Sequence, residues 1–256
     1  MALMLRCSAR LVLVAAAISL AACSTRVFCQ GYLWPQVPNL PYKAQVVRTG
    51  MLAVADGTRV RQETREFEAR DSQGRTRIET FAPENSCGSR AGDPPLMVDL
   101  FDPSRRQFIQ LFPGVKMARV MTFPGTGPIP THGPNPNVVS SKTESLPGQT
   151  IHGTYAVGTR TTEVVPSDDR SGPDVVDIEE TWVSPDLKIV VLFSYKSTDP
   201  RSSETTREIR QVDRSEPDAA LFEIPADYKI VTVTTEPQAD PPAPSPSTAG
   251  ASTIHK

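Results

Sequence analysis

Four cysteines, three histidines and a few adjacent acids are the residues of this chain whose types could do chemistry. Nucleophilic or acid–base catalysis needs such a residue within reach of a partner, and the sequence offers little of that kind. His132 lies in a proline-rich stretch and His255 close to the last residue given. His152 follows Ile151 on an expected strand, where an exposed or hydrogen-bonded histidine is the plain reading. No serine sits in a GxSxG turn, and Gly125-Thr126-Gly127 lacks the following helix that a phosphate cradle needs. Glu179 and Glu180 are neighbours, so on a strand they point to opposite faces and cannot act as a pair. Asp168-Asp169-Arg170 reads as a polar loop. A zinc site built from Cys29, Cys87, His132 and His152 lacks paired-ligand spacing. The expectation is a protein that is not an enzyme and holds no metal or cofactor.

The cysteines point instead to attachment and cross-linking. Residues 1–10 carry Arg6 and Arg10 and no acid, and residues 11–22, LVLVAAAISLAA, are apolar apart from Ser19. A basic start and a run of this length read as a secretory signal, too short to span about 30 Å of hydrocarbon. A buried N-terminal helix is the competing reading, but the run has no polar face to turn to solvent. Leu20-Ala21-Ala22-Cys23 resembles the bacterial lipobox. That resemblance implies cleavage before Cys23 and a diacylglycerol on its sulfur, with acyl chains such as palmitate. An ordinary cut after Ala21 is the alternative. Ser24, where an aspartate would favour inner-membrane retention, favours the outer membrane if the cell has one. The chain is therefore expected in the bacterial cell envelope, periplasm-facing and held to the membrane through Cys23. Cys7 leaves with the signal, so Cys29 and Cys87 remain as an even pair in an oxidising compartment. They form a disulfide or stay as two thiols.

Removing Arg6 and Arg10 leaves 25 basic against 29 acidic side chains, a mature balance of −4 with no sign of a nucleic-acid partner. Residues 59–79, RVRQETREFEARDSQGRTRIE, mix six arginines with five acids. They read as a solvated sheet face laced with weak cross-strand ion pairs. Residues 1–22 are the signal and 23–41 a tether with Pro35, Pro38 and Pro41. Residues 42–235 are strand-like, interrupted by PGTGPIPTHGPNPN at 124–137, and 236–256 form a low-complexity tail without an apolar run. The proline segment could divide two domains. One domain with a long crossover is preferred, because each half alone would build a thin core.

Helical periodicity is hard to find after residue 22, whereas strands and their turns recur. Asp56-Gly57 fits a two-residue type I′ hairpin, a register that pairs Ala55 with Thr58 and Met51 with Gln62. Ser72-Gln73-Gly74, Asp102-Pro103, Ser184-Pro185-Asp186 and Asp199-Pro200-Arg201 mark further turns. The expected fold is mainly β: an antiparallel meander in each half, forming a strongly curved sheet or half-barrel with few helices. In the 175–197 hairpin an even loop pairs 182 with 189 and 178 with 193. One face then gathers Trp182, Ile189, Val191, Ile178, Phe193, Val176 and Tyr195, and an odd loop would change this. Val190 and Leu192 fall on the other face among lysines and acids, either under a covering loop or lining a groove for an apolar ligand.

EPDAALFEIPADYKIV, residues 216–231, has an acidic-proline turn, then LFxxP, a tyrosine and a last strand. It resembles the closing segment of the bacterial lipoprotein carrier and receptor superfamily. Residues 146–165 and 181–200 fit the strand and hairpin of that family's second half. The resemblance implies an unclosed β-barrel around an apolar cavity, and a lipid or lipoprotein ligand. The helices that plug such half-barrels and the receptor's protruding apolar loop are not found, and no site residue carries over. ADGTR, RDSQGRTR and LFEIPADY also look like exported bacterial proteins without an assigned role. The alternative is an envelope interaction or sensor module with no small-molecule ligand.

Overall fold

The computed structural model describes residues 37–53, 58–83, 92–123, 137–166, 172–200, 202 and 204–234. The signal, Cys23, most of the tether, Cys29, Cys87, Asp56-Gly57, residues 124–136 and the tail lie outside the described residues.

Six strands come first: β1 (Tyr42–Ala53), β2 (Arg59–Arg70), β3 (Thr76–Thr80), β4 (Met97–Asp102), β5 (Gln107–Phe112) and β6 (Met117–Thr122). Six more follow: β7 (Ser140–Ile151), β8 (Thr154–Val165), β9 (Val175–Ser184), β10 (Ile189–Ser197), β11 (Glu204–Asp213) and β12 (Lys229–Thr234). All twelve belong to one sheet, in the order β12-β6-β5-β4-β3-β2-β1-β11-β10-β9-β8-β7. Each half is an antiparallel meander, as the turn signals imply. The two join where β1 pairs with β11, and β12 returns to lie parallel to β6. β7 and β12 are free edges, so the sheet does not close. Among the described residues the only helices are short 3-10 turns at Pro113–Val115 and Ala219–Phe222.

Local chemistry fixes the turns. Asp71 Oδ1 accepts from the Gln73 and Arg75 amides at 3.0 and 2.8 Å, and Gly74 takes the left-handed conformation that closes β2 onto β3. His152 departs from expectation. With Gly153 it forms the tip of the β7–β8 hairpin, both residues at positive φ, as a type I′ turn requires.

Two apolar clusters hold the sheet. Val98, Leu100, Ile109, Leu111, Ala118 and Val120 form one on β4–β6, with Ile224 and Tyr228 packed on it. The covering segment is the LFEIPADY stretch. Asp218 caps its helix by accepting from the Ala220 amide at 2.9 Å, and Arg77 Nη1 donates to the Leu221 carbonyl at 2.6 Å. The buried Phe222 lies 4.9 Å under the Arg75 guanidinium. The second cluster unites Tyr42, Ala44 and Val46 of β1 with Ile151, Ala156, Trp182, Leu187, Ile189, Val191 and Ile209. It bridges the halves where the ladders slip, between Gln45 and Val46 and between Val190 and Leu192. Such bulges bend and twist a sheet.

Two registers need correcting. Ala53 pairs with Arg59 and Met51 with Arg61, so the two-residue register at Asp56-Gly57 is not the one formed. The buried far end decides: Tyr42 and Ala44 sit in the core opposite Arg70 and Glu68, whereas Val60 near the turn is exposed. A one-residue slip would turn Tyr42 and Ala44 out of that core. In the second hairpin Ile189 pairs with Ser184, and past the bulge Leu192 pairs with Trp182, Phe193 with Thr181 and Tyr195 with Glu179. Trp182, Ile189 and Val191 do share the core, but Phe193 and Tyr195 pass to the side opposite Ile178.

Candidate functional site: a Met and Phe face beside a buried charge network

The ladders from β1 to β6 run without a register shift, so paired residues across them share a side. The side opposite Leu100 carries Met97 and Phe101 on β4, Phe108 and Phe112 on β5, and Met117 and Met121 on β6. Phe101 is buried and the other five are half-buried. Three of the chain's six methionines are here, and two of the remaining three lie within residues 1–22. Strands with one solvated face alternate apolar and polar residues; β4–β6 instead are apolar on both sides. The closing segment packs on one of these sides. The described elements that pack closely on each other are sheet neighbours, with the 219–222 helix on β3 the one exception.

A polar row crosses this face. Asp99 is opposite Gln110, which is opposite Arg119, which is opposite Val231 of β12. Asp99 is buried and accepts from Gln110 Nε2 at 3.1 Å, and Arg119 is exposed. The apolar residues therefore lie in two rows, Phe101–Phe108–Met121 on one flank and Met97–Phe112–Met117 on the other.

The same side of β1 and β2 holds charge. Residues 59–79 are not wholly a solvated face: Glu66, Glu68, Arg70 and Asp71 are buried. Tyr42 Oη donates to Glu68 Oε1 at 2.9 Å, and Arg207 of β11 donates to Glu68 Oε2. Arg207 Nε lies 3.6 Å from Glu66 Oε2, and Arg48 Nε donates to Glu66 Oε1 at 2.9 Å. Arg207 Nη1 also donates to the Val190 carbonyl at 3.2 Å. Arg70 donates to the Leu40 and Leu187 carbonyls with its guanidinium 4.9 Å over the Tyr42 ring. Burial works to lower the Arg207 guanidinium, and Glu68 and Glu66 outweigh it, so its pKa rises. Burial, then the Glu68 carboxylate, pushes the Tyr42 phenol well above its ordinary value and keeps it a donor. A network whose members are paired in this way fixes strand register across the join of the two halves.

The other sequence candidates are dispersed. Leu192 is half-buried and packs against the second cluster, while Val190 stands opposite Val183, so the bulge separates the two. His152 Nε2 meets Glu208, whose Oε2 lies 2.9 Å from Arg210 Nη2. Glu180 accepts from Arg160 Nε at 2.8 Å, away from Glu179, whose carboxyl is raised first by burial. Among the described residues no group of three His, Cys, Asp or Glu is placed to hold a metal, and no helix is long and apolar enough to cross a membrane. Sequence reasoning missed the Met and Phe face. Its signal was the lack of alternation in LMVDLF and RQFIQLF.

No protein-family model and no curated sequence matches the chain. Solved structures do. A chain of the Pseudomonas aeruginosa MucA/MucB complex matches at TM-score 0.40 and 12% identity over 76% of this chain and 59% of that one. A LolA superfamily protein from Nitrosomonas europaea matches at TM-score 0.30 and 8% identity, over 78% and 96%. A DUF1329 family protein from Desulfovibrio piger matches at TM-score 0.30 and 9% identity, over 72% and 90%. The chain thus spans less than two thirds of the MucA/MucB chain it matches. At these scores the likeness stops at the general course of the sheet.

Proposed function

We propose that the protein is a non-enzymatic envelope lipoprotein that binds an acyl chain on the β4–β6 face. The observation that carries this reading is the concentration of half-buried Met and Phe side chains on the side of β4–β6 away from the closing segment. Methionine is flexible and polarizable, which suits a surface that must fit a chain without fixed shape. The anchor is Cys23, and Cys29 with Cys87 form the envelope disulfide; both rest on the sequence.

Uptake of a fluorescent fatty-acid probe tests the binding. The Met97→Thr/Met117→Thr variant should lose about tenfold or more in affinity, from roughly 1 kcal/mol of apolar contact per side chain. Its melting temperature should fall by only a few degrees, because neither residue is fully buried. Wild-type protein that takes up no apolar probe would overturn the reading. The exposed Ile230 and Val231 on the open β12 edge would then favour a protein partner that adds a strand. Cys23→Ser tests the anchor independently. The variant should leave the membrane fraction, and an unchanged membrane fraction would remove lipidation from the proposal.

A further inference from the structure

We infer that the ligand is an anionic single-chain amphiphile whose head group is held by Arg119 and Lys229, with its chain along Met117, Phe112 and Met97. This rests on the acyl-binding reading above and adds the head group to it.

The charges on this face are unequal in their engagement. Among the described residues Arg119 is the one arginine whose side chain has no ion pair or hydrogen bond, although it stands on the Met and Phe face between Met117 and Met121. Its cross-strand neighbours are Gln110 and Val231, neither of them an acid. Lys229 pairs with Met117 in the parallel ladder, which places it diagonally next to Arg119 on the same side. It is exposed, and its ammonium has no ion pair among the described residues. The nearest acid on the covering segment, Asp227, is taken by Lys116 Nζ at 2.7 Å.

Two unneutralised cations therefore border one end of an apolar row, and a negative head group complements both. The position of the cations sets the direction: both stand at the β6 and β12 end of the row, and Phe112 and Met97 continue it toward β4. The head group accordingly belongs at β6 and β12, and the chain runs toward β4. From Lys229 to Met97 is three strand spacings, about 14 Å, a span that an extended acyl chain can cover. Cations on an edge strand also discourage strand addition, so the role has to be separated by ligand chemistry.

Palmitic acid and hexadecanol carry the same chain with a charged and a neutral head. In mildly alkaline buffer, below micelle formation, wild-type protein should bind palmitate about tenfold more tightly than hexadecanol, the size expected from two exposed ion pairs. Added salt should narrow the gap. Arg119→Gln/Lys229→Gln should bring palmitate down to the affinity of hexadecanol and leave hexadecanol unchanged. Both positions are exposed, so the variant should melt as the wild type does. Equal wild-type affinity for the two probes, or a palmitate preference that survives in the variant, overturns the head-group assignment and leaves acyl binding standing. Failure of both probes to bind wild-type protein overturns acyl binding itself, and this assignment with it.

Discussion

Arg207→Met should lower the unfolding free energy by about 3–5 kcal/mol, the usual cost of removing one partner from a buried charge pair. The expected size follows from what the change leaves behind. Glu66 and Glu68 are both buried and lie two residues apart on one side of β2. Without the Arg207 guanidinium, Glu68 keeps the Tyr42 hydroxyl but loses its ion pair, and Glu66 keeps Arg48. The Val190 carbonyl also loses its donor at the bulge of β10. A denaturant titration reads the effect as a lower midpoint at unchanged slope. Adding Glu68→Gln should recover part of the loss, because it removes the uncompensated charge. The two changes should therefore be non-additive. A loss under about 1 kcal/mol would mean that these groups behave as the solvated, weakly paired face that the sequence alone suggests.

That contrast marks where sequence reasoning stops. The meanders were legible because their turns are local: Ser72-Gln73-Gly74, Asp102-Pro103, Ser184-Pro185-Asp186 and Asp199-Pro200 all lie in or beside a connection between strands. The charged run at 59–79 was legible as strand but not as buried. Its burial depends on β11, whose Arg207 is 139 residues away from Glu68. No local pattern carries that pairing. The bulge between Val190 and Leu192 is silent in composition too, and it sends Leu192 to the core and breaks the alternation on which the groove residues rested. The face on β4–β6 was written in the sequence as two apolar runs without alternation. Which of their sides would be covered by residues 214–228 depends on the path of the chain back to β6.

Gly158→Ala should destabilise the fold by about 1–3 kcal/mol, the range for overpacking a close-fitted core. The sign is informative. In a strand interior alanine is otherwise preferred to glycine by about 0.5–1 kcal/mol, since it loses less backbone freedom on folding. Gly158 of β8 stands opposite Trp182 of β9, and the indole lies directly on it. A Cβ built there would come within 2.7–2.8 Å of three Trp182 ring carbons, closer than a carbon contact allows. The ring cannot swing aside freely, because Trp182 is buried in the cluster that joins the two halves. Its Nε1 has no hydrogen-bond partner among the described residues, so packing alone holds it in place. The variant should therefore shift tryptophan emission as well as stability, with Trp34 the chain's other tryptophan and its emission the background. Trp182→Phe shortens the ring at the point of collision. Combined with Gly158→Ala, it should cost less than the sum of the two single changes. A neutral or stabilising Gly158→Ala would show that the indole does not rest on β8, and the bridge between the halves would then need another keystone than Trp182.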